Sequence, residues 1–459
     1  MRHRLTASET AAARSDDLFR SRLENLVDRR HALIRLAQRM PWAALEDALQ
    51  DTLPPAPVAG GRPALPVRLM AGLLYLKHAY DLSDEAVCER WLENPYWQFF
   101  TGEVFFQTTL PCDPSSLVRW RKLLGEAGLE ELLAQTIAAA RAMKAIDTAA
   151  FARVIVDTTV QEKAIAYPTD SRLLEVARKK IVILAERHDL ALRQSYARQG
   201  PKLQRQAGGY AHAKQFKRLR RVLKRQRTVL GRLLRDVQRK LETASEAART
   251  AITPWLERAE RLHRQAPKDK NKLYALHAPE VECIGKGKGK ARQPYEFGVK
   301  VGLAITARRG LIVGARSFPG NPYDGDTLQE QLEQVECLTR IKPQTAIVDL
   351  GFRGREIEGT TILHRGKAKR LTRSQWRWVK RRQAIEPIIG HVKDDCGMRR
   401  CALKGAQGDA HHAVLCAAGY NLRWLLRWIA AFVLAIQQMI TDQDNSNHCS
   451  NTFLAPHCA

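Results

Sequence analysis

The 459-residue chain contains no run of about 20 apolar residues, the length a helix needs to cross a bilayer. Its most apolar short segment, residues 428–436, is too brief and follows Arg423 and Arg427; it reads as a buried or partner-facing helix. The first 18 residues are polar and include Asp16 and Asp17, unlike the apolar centre of a secretory signal. A disulfide framework is also missing: the nine cysteines are scattered and odd in number, which suits a reducing cytoplasm. Acid is in short supply, with 48 Asp and Glu against 75 Lys and Arg, a net charge of +27. No lipidated or amphipathic anchor accompanies that charge, so a membrane partner is not expected. A small-molecule substrate does not call for it either. Duplex DNA carries one phosphate charge per ~1.7 Å and releases counterions to Lys and Arg. Double-stranded DNA is therefore the expected partner, and the expected location is the cytoplasm, in association with the nucleoid. What is present in quantity is apolar side chain, at 45%, ample for packed cores.

Residues 1–145 read as a helical N-terminal domain. Residues 65–80 have helical spacing, Ser83 can cap a helix through Val87, Cys88 and Trp91, and Asn94-Pro95 stops it. Asp113-Pro114-Ser115 opens another helix, which carries Leu117, Trp120, Leu123 and Leu124 to Gly125; one more follows over 129–143. The texture changes at Phe151. Residues 153–160 form a β-branched, apolar strand around one acid, Asp157. Residues 295–306 and 311–318 make a hairpin about Gly310, and Asp324 or Asp326 caps the helix that follows. A short strand over 345–350 brings Asp349, and the rest is helical to Gln438. We therefore expect an α/β domain over 146–440 and a flexible tail over 441–459.

A basic helical insertion interrupts that domain at 171–290. Residues 171–270 hold 27 Lys or Arg and 9 Asp or Glu, a net of +18 and two-thirds of the whole excess. Phe216, Leu223, Leu230 and Val237 recur every seven residues, with Leu219 and Leu233 between them, a seam interrupted by Gln226 and Lys240. This predicts a helical hairpin or coiled coil whose outer face, with Lys217, Arg218, Arg221, Lys224 and Arg225, touches DNA. A solvated face that serves solubility alone is the competing reading, and balanced charge would serve it better.

A carboxylate ending an apolar strand is costly to bury unless it is paired, hydrogen-bonded or bound to metal. Two such acids occur, Asp157 after Val154-Ile155-Val156 and Asp349 after Ala346-Ile347-Val348. Neighbouring strand ends would turn them to one crevice, where a hard divalent ion prefers oxygen. A third acid, Glu386, lies 37 residues beyond Asp349. As a bare pattern, the acids could equally cap neighbouring elements.

The order of motifs is more specific. Val156-Asp157-Thr158-Thr159-Val160 and Tyr167-Pro168-Thr169-Asp170 come first; Tyr295-Glu296-Phe297-Gly298-Val299-Lys300 and Gly320-Asn321-Pro322-Tyr323-Asp324-Gly325 follow. Then come Val348-Asp349-Leu350-Gly351-Phe352-Arg353-Gly354, Ile385-Glu386-Pro387 with His391-Val392-Lys393, and Ala417-Ala418-Gly419-Tyr420-Asn421-Leu422. Together, over residues 40–430, they resemble a bacterial insertion-sequence DDE transposase. The resemblance implies an RNase H-like mixed sheet flanked by helices, with Asp157, Asp349 and Glu386 binding two Mg²⁺ (or Mn²⁺) ions. It further implies that Arg382, four residues before the Glu, and Lys393, seven after it, assist at phosphate. The family's tyrosine three residues before that Arg is replaced by Val379. Pro387 favours extended backbone at Glu386, so a helix should begin there. By the same resemblance the N-terminal domain binds terminal inverted repeats or pairs protomers, and the protein works as a homo-oligomer, at least a dimer. The helix after Asp113 would offer Arg119, Arg121 and Lys122 to a groove; a packing helix with a basic outer face is the alternative. A non-catalytic nucleic-acid-binding protein derived from a transposase, and a nuclease that cuts without joining, are the competing functions.

Gly285-Lys286-Gly287-Lys288-Gly289-Lys290 lacks the Gly-Lys-Ser/Thr ending of a nucleotide loop and reads as a basic loop brushing DNA. Cys396, Cys401, His411 and His412 match no standard zinc spacing and read as buried side chains.

Overall fold

A computed structural model describes residues 21–53, 64–285, 294–366 and 371–451. The leader reading (1–18), the Lys286–Lys290 loop and the last eight residues of the expected tail lie outside the described residues.

The N-terminal part is helical: α1 (Leu23–Leu26), α2 (Ala32–Arg39), α3 (Trp42–Leu49), α4 (Val67–Ala79), α5 (Asp84–Glu93), α6 (Pro95–Phe100) and α7 (Pro114–Ala142). The local signals act as their chemistry dictates. Ser83 Oγ accepts from Ala86 N, and Asn94 both ends α5 and caps α6. Asp113 caps α7 through Ser115 N, and Gly125, at φ 61°, breaks α7 into two segments.

Strand β1 (Arg153–Glu162) starts a six-stranded sheet with β2 (Glu282–Gly285), β3 (Tyr295–Thr306), β4 (Ile312–Phe318), β5 (Thr345–Ile347) and β6 (Thr361–Leu363). The order is β2-β3-β1-β5-β6, with β4 also on β3. Pairing is antiparallel among β1 to β4 and parallel from β1 through β5 to β6. The sheet is mixed and flanked by helices, the RNase H-like α/β arrangement. Gly310 makes the β3–β4 turn, and α12 (Asp324–Thr339) then crosses one face of the sheet before β5. Three elements complete the chain: α13 (Arg373–Arg381), α14 (Ile385–Asp395) and α15 (Gly405–Asn451). The first half of α15 is buried between α4, α7 and β4. There Asn421 donates to Thr136 Oγ1 (2.9 Å) and Ile312 O (2.8 Å) and accepts from Ile312 N (3.0 Å). The apolar core runs continuously from the N-terminal helices through the sheet to α15.

The insertion departs from the expected hairpin. It is a four-helix unit, α8 (Asp170–Arg187), α9 (Gln199–His212), α10 (Phe216–Leu241) and α11 (Glu246–Arg264), with a core of its own. Only the C-terminal half of the heptad seam works: Leu230, Leu233, Leu234 and Val237 are buried against α8 and α11, whereas Phe216 is 55% exposed. Gln226, an interruption by sequence, is buried and donates to Ser171 O. The unit also ends earlier than residue 290, because Glu282–Gly285 pairs with β3 in the sheet.

Three further expectations change. Residues 441–451 continue α15 rather than forming a loose tail. Neither Asp324 nor Asp326 caps α12; Tyr323 occupies that position, Asp324 binds Lys300, and Asp326 pairs with Arg355. The helix carrying Glu386 starts at Ile385, preceded by a 3₁₀ turn over Arg382–Ala384, so the proline does not separate Arg382 from Glu386.

Candidate active site

The parallel register pairs Ile155 with Ile347. Two residues further on each chain stand Asp157 and Asp349, so alternation points both acids to one face at the end of the pair. Asp157 Oδ1 accepts from Thr158 N (2.9 Å), and Asp349 Oδ1 accepts from Gly351 N (2.7 Å) as the chain turns into the short 3₁₀ segment Leu350–Phe352.

Glu386 arrives from α14. Arg382 lies one turn before it and spans the gap: Nη1 donates to Asp157 Oδ2 (2.8 Å) and Nη2 to Glu386 Oε1 (3.1 Å). The Asp157 side chain is 15% exposed and that of Glu386 61%. Burial pushes the Asp157 carboxyl up to about 6; Arg382 opposes that rise and Asp349 adds to it. The ionised carboxylate is poorly solvated there even with a guanidinium beside it. Oxygen-only donors, an excess of acid and a cation already held between two of the acids fit a hard divalent ion.

Lys393 is not with this group. It stands two turns along α14, mostly buried, 3.6 Å from Glu296 Oε1 on β3. Val379, where the family's tyrosine would sit, is buried in the core. Two residues near the acids escaped the sequence reading. Asp324 Oδ1 accepts from Thr158 Oγ1 (3.0 Å) and pairs with Lys300 Nζ (2.8 Å). The signal was present in the Gly320–Gly325 and Tyr295–Lys300 motifs, but nothing in spacing linked them to Asp157.

The basic residues divide. Arg119, Lys122, Lys217, Arg218, Arg221, Lys224 and Arg225 are exposed. Arg121 is not: its guanidinium is buried and grips Asp84 through two bonds of 2.8 and 2.6 Å, which corrects the expectation that it faces a groove. Burial pushes the Asp84 carboxyl up, but Arg121 and Lys77 outweigh it and leave it below the usual range.

A different set of donors sits far inside, between α4 and α15. His78, His412 and Cys416 have ligand atoms within 4.8 Å of one another, the one such metal-competent group among the described residues. Burial drives His78 well down and His412 down to about 4, keeping both rings neutral. Cys416 contacts His78 Nδ1 at 3.7 Å and His412 Nε2 contacts Gly397 O at 3.0 Å. Burial likewise pushes Cys396 and Cys401 up to about 12, as suits inert thiols.

Comparison with known families fits this geometry. Residues 21–123 match the model described as "Transposase domain (DUF772)", and residues 261–422 the "Transposase DDE domain". The chain belongs to the insertion-sequence DDE transposases. Asp349 and Glu386 fall inside the second match; Asp157 lies between the two. The chain is also 50% identical over 201 residues to the "Uncharacterized protein ORF8 in nfe locus" of Rhizobium meliloti, a match covering 44% of this chain and 95% of that protein. No solved structure matches. No helix among the described residues is long and apolar enough to cross a membrane.

Proposed function

We propose that this transposase binds the terminal inverted repeats of its element and carries out metal-dependent strand cleavage and strand transfer at Asp157, Asp349 and Glu386. The observation that supports this best is the pairing of Asp157 and Asp349 in parallel-strand register, with Glu386 linked to Asp157 through Arg382. These acids would hold two Mg²⁺ or Mn²⁺ ions. Such ions supply activation of an attacking water or 3′-hydroxyl and neutralisation of the leaving oxygen. The protein's share is positioning and charge. Asp157, fixed by Thr158 N, and Asp349, fixed by Gly351 N, present oxygens at set positions. Arg382 balances the acids before loading and is placed to meet a phosphate afterwards. Lys393, ten or so ångströms along α14 by helical rise, suits a phosphate further along the strand. Arg119 and Lys122 on α7, and Lys217, Arg218, Arg221, Lys224 and Arg225 on α10, serve DNA binding. The working form is a homo-oligomer.

The test uses full-length protein, Mg²⁺ and duplexes bearing the inverted repeats that flank the gene. The wild type should nick the end and join pre-cut ends to a target. Asp157→Ala, Asp349→Asn and Glu386→Gln should abolish both reactions and still shift the duplex in a gel. Unchanged cleavage by any of them overturns the assignment; cleavage without joining identifies a nuclease.

A further inference from the structure

The Gly320–Gly325 motif delivers Asp324 to the first turn of α12, yet its carboxylate does no capping. It reaches the sheet instead. Alternation sends Thr158 to the face opposite Asp157, and the β1–β3 register places Thr158 beside Gly302 and Val160 beside Lys300. Thr158 and Lys300 thus share the face that α12 covers. Asp324 Oδ1 collects both, Thr158 Oγ1 at 3.0 Å and Lys300 Nζ at 2.8 Å, and Lys300 also donates to Pro322 O at 2.5 Å. Its other oxygen lies against the Asp349 turn. A Cβ on Gly351 would fall 2.8 Å from Asp324 Oδ2 and 2.9 Å from Asp349 Oδ1, so those two oxygens are no more than about 6 Å apart and only glycine leaves them room.

We propose that Lys300 and Asp324 are positioning residues for the acidic centre, a charge-paired brace acting through Thr158 on Asp157 and through the Gly351 turn on Asp349. This rests on the reading of those acids as metal holders. Bare carboxylates on neighbouring strands repel one another, and the β1 strand that carries Asp157 and the turn that carries Asp349 need a fixed support on the far side of the sheet. Lys300, with 11% of its side chain exposed, supplies that support and cancels the charge of Asp324. The brace therefore adds no net negative charge behind the acids. Groups in this position orient metal-holding side chains without touching the metal, and their loss typically costs about 10–100-fold in metal affinity.

The experiment titrates Mn²⁺ into full-length, DNA-free protein and reads free Mn²⁺ by electron paramagnetic resonance. Asp324→Asn keeps the shape and removes the charge. Thr158→Val removes one hydroxyl, and Thr158→Ser restores it. The brace predicts Mn²⁺ binding weakened about 10–100-fold in Asp324→Asn and Thr158→Val, with Thr158→Ser like the wild type. A merely structural ion pair would lower the melting temperature and leave the isotherm of the folded protein unmoved; that result overturns the brace. Should Asp324→Asn fail to fold, Thr158→Val against Thr158→Ser decides the matter alone. A wild-type isotherm no different from that of Asp157→Asn sinks the metal reading itself, and the brace with it.

Discussion

Asp157→Asn should make the metal-free protein more stable while destroying its activity. The reason is the cost of holding an ionised Asp157 in its pocket. Folding raises this carboxyl from the usual value near 4 to about 6, so the native state favours the protonated form. The stability attached to that proton is complete below about pH 4 and is lost as pH rises through about 6. At pH 8 the loss amounts to about 3 kcal/mol, and at pH 5 to roughly half of that. Asparagine is neutral throughout and nearly the same shape, so it escapes the penalty. It does surrender the charge on the 2.8 Å bond from Arg382, but that attraction is already included in the net upward displacement. Differential scanning fluorimetry in EDTA should show Asp157→Asn melting several degrees above wild type at pH 8, with the gap closing towards pH 4. In saturating Mg²⁺ the wild type should recover ground and the variant should not respond, because the ion needs the ionised ligand. A variant less stable than wild type at pH 8 in EDTA, or a difference independent of pH, would refute the reasoning.

Other perturbations probe the cationic surfaces and the buried pair. The affinity of wild type for duplex should fall with salt at about 0.9 in log K per log salt for each phosphate neutralised, and Lys224→Ala with Arg225→Ala should reduce the slope by about two. An unchanged slope removes the outer face of α10 from the DNA contact. Arg121→Ala should destabilise by about 3–5 kcal/mol, since it leaves Asp84 short of its main partner, whereas Lys122→Ala should leave thermal stability alone; similar melting temperatures for the two would contradict the burial of Arg121.

The fold was most legible where periodicity and punctuation agree. Ser83, Asn94, Asp113, Gly125 and Gly310 all mark boundaries that the structure keeps. The long strands β1 and β3 declared themselves by β-branched runs, but β6, with only Thr361-Ile362-Leu363, is too short to show any period. The insertion misled because heptad spacing reports one helix face and not the number of partners: Gln226 broke the seam on paper and is buried among four helices. In the site, Asp157 and Asp349 were visible as acids after apolar runs, but only Asp349 follows the end of its strand; β1 runs on to Glu162, so Asp157 sits mid-strand, just beyond the β1–β5 pairing. The place of Arg382 between two carboxylates, and the removal of Arg121 to a buried bond with Asp84, depend on contacts across 225 and 37 residues. No local pattern carries such information. Asp324 looked like an ordinary helix-cap acid for the same reason, since only the β1–β3 register brings Thr158 and Lys300 to it.

The excursion between β1 and β2 leaves and returns almost at one point. Lys163 Nζ, just past β1, sits 2.8 Å from Glu280 Oε1, just before β2, and Gly298 pairs across the sheet with both Glu162 and Glu282. To the strands, everything in between is a loop of nearly zero span, whose closure entropy grows only with the logarithm of its length. Bundles of quite different size could be grafted at this doorway without moving Asp157, Asp349 or Glu386. The sheet with its acids and the basic bundle are thereby free to diverge at different rates.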